Sequence, residues 1–190
     1  MRSVESLIDP VVVAEHRLPD RYAEVRTRAM TYIMQRRSSL CTTGQVRQYL
    51  KRHEADSILA NRVIADLAAD GYIDDLRAAR SVIKSRQGRR AESRGMMLRR
   101  MLRLGVSRSV AEQALSELQT DEAARVYAYL MTRHTSDIHA LRSGELDAVQ
   151  QRRLRKRITA AAARRGFSPG VVLPILDRAV NCARAENSDG

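Results

Sequence analysis

The sequence predicts an all-α protein built as three tandem three-helix repeats stacked into an elongated, curved array. Three observations predict it. Aromatic residues make up only 4% of the 190 residues, with one Phe and no Trp, while the apolar set reaches 44%; a core of Leu, Ile, Val, Met and Ala favours helices over sheets. Four prolines and nine glycines leave long stretches uninterrupted. The chain also matches itself. Gly105-Val106-Ser107 and Gly166-Phe167-Ser168 stand 61 residues apart, and the apolar residues downstream recur in step. Short helices in a unit of this size cannot bury their apolar faces alone, so neighbouring copies stack.

Residues 1–25 read as a leader. Its only apolar run, Val11-Val12-Val13, is too short for a signal peptide or a membrane span. The first repeat covers 26–75. Thr42 and Gln45 have capping-box spacing ahead of a helix with Val46 and Leu50 inward. Asp56 then caps a helix whose apolar stripe is Leu59, Val63, Ile64 and Leu67. The turn Gly71-Tyr72-Ile73-Asp74-Asp75 follows. Gly71 can end one helix in a left-handed conformation, Asp74 or Asp75 can cap the next, and Tyr72 and Ile73 are expected to pack into the seam. That chemistry reads as a structural turn.

The second repeat covers 76–118. Val82, Ile83 and Arg86 stand in register with Tyr32, Ile33 and Arg36, and Met97 and Met101 with Val46 and Leu50. Gly105 suits the positive φ of a helix end, and Ser107 caps the helix of Val110, Ala114, Leu115 and Leu118. The third repeat covers 119–186. Ala78-Ala79-Arg80 recurs as Ala123-Ala124-Arg125, a longer connection is expected from Thr135 to Leu146, and Ile158 and Ala162 take the inward positions. Gly166 repeats the helix end, Ser168 the cap, and Pro169 the first helical position. Phe167 and Val172 are spaced as a hydrophobic staple, ahead of Val171, Ile175, Leu176 and Ala179. Residues 187–190 are a tail.

A net charge of +12 points to polyanions or acidic protein surfaces. Of 34 basic residues only Lys51, Lys84 and Lys156 are lysines. Bidentate binding of phosphate and carboxylate suits such a bias, but the codons of a GC-rich genome account for it equally well, so the placement of the charge decides. Ten basic residues lie from Arg80 to Arg108 with Glu92 the only acid, and seven from Arg152 to Arg165 with none. On a helical wheel Met97, Leu98, Met101 and Leu102 share one arc, opposite Arg99, Arg100 and Arg103. Ile158, Ala162 and Ala163 likewise lie opposite Arg153, Arg157 and Arg164. Arg52 and Arg103 and Arg164 are equivalent positions. With Arg86 and Arg90 these make a candidate basic stripe for a linear polyanion or an acidic groove. Arg155 falls toward the apolar arc, which the wheel does not explain.

No catalytic constellation emerges. There is no phosphate-cradling G-x-x-x-x-G-K-[ST] or G-x-G-x-x-G and no G-x-S-x-G nucleophile turn, so no cofactor is expected. His134, Asp137 and His139 lie close together but without metal-site spacing, and His16 and His53 stand apart. Cys41 and Cys182 show no disulfide framework, which fits a reducing cytoplasm. Methionines 96, 97 and 101 read as core filler.

The Gly71 to Asp75 turn, the following Arg77-Ala78-Ala79-Arg80 helix, the Gly105-Val106 helix end and the three tandem units resemble the RecX family of regulatory proteins, from about Arg26 to Arg178. The resemblance implies a modulator of the RecA recombinase, bound along the groove of the RecA–DNA filament and inhibiting its ATPase, strand-exchange and coprotease activities. The sequence departs from the family pattern at Ala78, where a Phe is usual. It departs also at Ser93, where a Gly is usual and Gly95 lies two residues on, and at Gln45, where an acid usually precedes the apolar position. The expected partners are the RecA filament and, more weakly and with salt dependence, single- or double-stranded DNA; no membrane is expected, and the chain is expected to act as a monomer. The alternatives are a basic helical repeat that binds nucleic acid with no RecA role, and a helix-turn-helix transcription factor. The second would need Asn, Gln or Ser beside Arg to read base edges, whereas Arg99, Arg100 and Arg103 suit phosphate.

Overall fold

The computed structural model describes residues 10–36 and 40–186, with side chains for 20–36 and 40–181. Residues 1–9 of the expected leader, the tail 187–190, and the side chains of His16 and Cys182 lie outside the described residues. Among the described residues there are ten α-helices and no strand: α1 (Pro10–Gln35), α2 (Thr43–Arg52), α3 (Ser57–Ala69), α4 (Asp75–Ser85), α5 (Arg94–Arg103), α6 (Arg108–Ser116), α7 (Glu122–Arg133), α8 (Thr135–Ser143), α9 (Ala148–Arg164) and α10 (Pro169–Glu186). A 3-10 turn, Gly88–Arg90, precedes α5. The chain divides into two compact units, Met1–Ala78 and Ala79–Gly190. The boundary expected at 25/26 falls inside α1.

In the first unit α1, α2 and α3 pack pairwise around Val25, Ala29, Val46, Leu50, Val63, Ile64, Leu67 and Ile73. The Thr42–Gln45 capping box is present at the start of α2, so the glutamine that departs from the family pattern satisfies a helix end. Asp74 caps α4 through the Arg77 amide at 2.8 Å. Asp75 instead accepts bonds from the Thr43 amide (2.8 Å) and hydroxyl (2.7 Å), tying the start of α4 to the start of α2. Ile73 is buried as expected, but Tyr72 is 44% exposed and fills no seam.

Cys41 is buried in this core, and burial pushes its thiol up by more than the nearby Arg36 charge pulls it down. Since the thiolate is the reactive form, Cys41 in a Cys182→Ser background is expected to react with an aromatic disulfide at least about tenfold more slowly folded than in urea. Equal rates would show that the residue is accessible.

In the second unit α5 packs on α6, α7 on α10 and on the 3-10 turn, and α8 and α9 on α10. Phe167 and Val172, the expected staple, lie in one core with Val126, Leu130, Ile158 and Leu176. The connection expected from Thr135 to Leu146 carries a helix, α8, because Ile138 and Leu141 are spaced to share one face and both are buried in that core. Arg125 of α7 is buried and donates to the carbonyls of Arg86 and Glu92, and the Ser93 amide donates to the Arg165 carbonyl at 3.0 Å, so the expected second and third repeats are bonded together.

The self-similarity is visible in bonding at three helix ends. Glu54, Gly105 and Gly166 have φ of 55°, 81° and 84°. Their amides donate to the carbonyls of Lys51, Leu102 and Ala163, while those of Ala55, Val106 and Phe167 donate to Leu50, Met101 and Ala162. This is the Schellman pattern, which needs a left-handed residue that glycine adopts without strain; the first unit uses Glu54 there. The paired inward positions behave alike as well: Val46, Met97 and Ile158, then Leu50, Met101 and Ala162, are all fully buried.

Candidate polyanion-binding face

The basic helices of the second unit turn their apolar residues inward and their cations out. Ser93 caps α5 through the Met96 amide, and Met97 and Met101 hold that helix to the core. Asp147 and Gln150 form a capping box at the start of α9, and Ile158 and Ala162 anchor it. The two helices meet end to start. Besides the Ser93–Arg165 bond, a Cβ placed on Gly166 would stand 2.4 Å from Met96 Cγ and 2.5 Å from Ser93 Oγ. Only glycine lets the end of α9 approach the cap of α5 so closely.

The expected site residues separate into two groups. Arg90, Arg99, Arg103, Arg153 and Arg164 are exposed, with no acidic partner among the described residues; Arg99 lies on the Met96 sulfur at 3.2 Å, and Arg103 donates to the Arg99 carbonyl. Arg86 and Arg100 are engaged inward. Glu92 is 2% exposed, and Arg100 grips its carboxylate through two bonds of 3.2 and 2.8 Å, with Arg86 and Arg165 at 3.8 Å. The Glu92 hydrogen bond raises the Arg100 guanidinium above its ordinary range, while burial lowers that of Arg125. Arg157 is exposed but pairs with Asp137 at 2.6 Å. Arg52 lies exposed at the end of α2 in the first unit.

Cations outside the expected stripe are exposed as well. Arg89, Arg94, Arg152 and Lys156 are exposed and lack an acidic partner among the described residues. Arg94 stands in the first turn of α5, where the helix dipole disfavours a cation; that misfit is a signal available from the sequence. Arg155, unexplained by the wheel, reaches Asp177 of α10.

The structural motif residues Gly71, Gly105 and Gly166 all adopt positive φ. The His134 Nδ1–H donates to the Asp137 carboxylate at 2.8 Å and the ring faces Tyr129, while His139 is exposed. Burial alone would raise the Asp137 carboxyl, but His134 and Arg157 outweigh it and hold it below the ordinary carboxylate range. Among the described residues no three His, Cys, Asp or Glu side chains are grouped to hold a metal ion, and no helix is long and apolar enough to cross a membrane. What the arrangement offers is a set of exposed guanidinium groups suited to phosphate and carboxylate.

No family model matches the sequence. Regulatory protein RecX of Streptococcus pneumoniae strain Hungary19A-6 is 29% identical over 128 residues, covering 67% of this chain and 45% of the relative. That of strain CGSP14 is 30% identical over 84 residues, covering 44% of this chain and 33% of the relative. The chain therefore spans about half the length, or less, of the curated relatives it matches. Among solved structures, RecX from Lactobacillus salivarius superposes with a TM-score of 0.64 at 17% identity, over 85% of this chain and 97% of that one. A second regulatory protein RecX gives 0.65 at 17% identity, over 90% and 79%. These relatives carry the name of regulators, and the all-helical fold is theirs. In sequence and in fold the chain is thus similar to proteins named regulatory protein RecX.

Proposed function

We propose that this protein binds the RecA–DNA filament and restrains RecA, lowering its ATPase, strand-exchange and coprotease activities, as a cytoplasmic monomer without enzymatic activity of its own. The reading is supported by one observation above others: Arg90, Arg94, Arg99, Arg103, Arg153 and Arg164 are exposed without acidic partners among the described residues, on elements bonded to one another. Such groups contact phosphates and acidic side chains along a filament, and a protein lying there hinders subunit rearrangement and nucleotide turnover. Binding to bare DNA is the weaker, salt-dependent component.

The test is DNA-dependent ATP hydrolysis by RecA with increasing protein at two salt concentrations. Inhibition well below one protein per RecA is expected. Binding to bare DNA with no effect on preformed filaments would favour a nucleic-acid-binding repeat protein with no RecA role. Arg99→Glu with Arg103→Glu is expected to weaken filament binding by about tenfold or more with helicity unchanged, since charge reversal replaces attraction by repulsion. Undiminished inhibition by that variant would remove α5 from the binding surface.

A further inference from the structure

Two helix pairs, α1 with α3 and α4 with α6, are each bridged by an acid at one register. In the first unit Asp66 of α3 accepts the Tyr22 hydroxyl of α1, and Asp70 pairs with Arg26 at 2.6 Å. In the second unit Glu117, which stands 51 positions after Asp66, pairs with Arg80 of α4 at 2.8 Å. That bond holds the Glu117 carboxyl below its ordinary range. The same register, 61 positions further on, is Arg178 of α10.

Here α7 and α10 pack on one another, and among the described residues no acid bridges them at this register. A groove of about 480 Å³ lies between them. Its floor is apolar, from Ala123, Ala124, Ile175 and Ala179, and Tyr127, 50% exposed, forms one wall. The other charged groups are already engaged. Arg142 donates twice to the Ala179 carbonyl, and Asp121 caps α7 through the Ala124 amide. Arg178 is exposed, with no acidic partner among the described residues.

We infer that the α7–α10 groove is a docking site for an acidic polypeptide segment, which places a carboxylate on Arg178 and an adjacent apolar side chain on the alanine floor beside Tyr127. A nucleic-acid backbone fits less well, since it presents a phosphate at every nucleotide and this groove offers one unengaged cation over an apolar floor. The inference rests on the groove and does not depend on the RecA reading.

The full chain, labelled for methyl and amide NMR, is titrated with a decapeptide of alternating Glu and Leu, and with its Gln and Leu counterpart. Because net charge draws any acidic peptide to the cationic faces, the readout is positional. Shifts are expected at the methyls of Ala123, Ala124, Ile175 and Ala179 with the acidic peptide. Arg178→Glu, which places at an exposed site the acid found at this register in the other two helix pairs, is expected to weaken those shifts by about tenfold in affinity. Tyr127→Ala is expected to weaken them less. Shifts confined to α5 and α9, equal shifts with the neutral peptide, equal affinity in Arg178→Glu, no shifts at millimolar peptide, or displacement by a thymidine oligonucleotide at the same methyls would each overturn the assignment.

Discussion

Glu92→Gln is expected to destabilise the second unit by about 3 kcal/mol, because it removes the one anion from a buried cluster and leaves the cations in place. Glu92 is 2% exposed, whereas the side chains of Arg86, Arg100 and Arg165 around it are 25%, 34% and 36% exposed. The partial solvation of the arginines sets the expected loss at the low end of what breaking a buried pair costs. The neutral amide keeps the shape of the carboxylate, so the change isolates charge from packing. Arg125 adds to the sensitivity: it is buried nearby, donates to the Glu92 carbonyl, and has an Nε without a hydrogen-bond partner, as does Arg86. A fall in melting temperature of about 10 °C is expected, read by circular dichroism or calorimetry. Combining Glu92→Gln with Arg100→Met should cost less than the two single changes added together, because the second removes a cation that the first leaves unpaired. Additive losses would mean that Glu92 and Arg100 do not interact in solution.

That cluster marks where sequence reading stops. Helix ends and inward positions were legible because they are written within a few residues of one another. Gly105 and Gly166 advertise positive φ, Thr42 and Gln45 sit at capping distance, and Met97 and Met101 lie one turn apart. A wheel, however, ranks residues on one helix and cannot see a partner supplied by another segment. On the wheel Arg100 falls on the solvent arc because its own helix places it there, yet its guanidinium turns back to Glu92, eight residues upstream. Arg157 falls there likewise and reaches Asp137 of α8, a helix that the sequence offers only as a connection. Arg155 fell on the wrong arc for a cation because its partner, Asp177, belongs to α10. In each case the missing knowledge is the tertiary position of one acid. Where acids are scarce, as from Arg152 to Arg165, each one present decides which arginines are structural and which remain exposed. The solitary Glu92 was itself the signal: a lone carboxylate among ten cations is a place to expect a buried network.

Gly166→Ala is expected to cost about 3 kcal/mol, and the contrast with Gly71→Ala shows why. Both glycines have similar positive φ, 84° and 78°, so both substitutions carry the strain of a left-handed alanine, about 1 kcal/mol. At Gly71 nothing lies within 4 Å of the added Cβ, and the cost is expected to stop there. At Gly166 the methyl would meet Ser93 Oγ at 2.5 Å and Met96 Cγ at 2.4 Å. Met96 can swing away, but Ser93 Oγ is the cap that accepts the Met96 amide, and moving it forfeits about 1 kcal/mol more. Repacking Met96 accounts for the rest. The contact also has a functional side, since it fixes the end of α9, with Arg164, against the start of α5, the helix that carries Arg94 and Arg99. If the cations of both helices act as one surface, Gly166→Ala should weaken polyanion binding at temperatures where the chain is still fully folded, and Gly71→Ala, which touches neither helix, should not. Denaturant titration of the two variants, followed by binding to a fluorescent oligonucleotide at two salt concentrations, checks both halves. Equal stability losses would mean that α9 does not press on the α5 cap; a large loss in stability with unchanged binding would mean that the two helices bind independently.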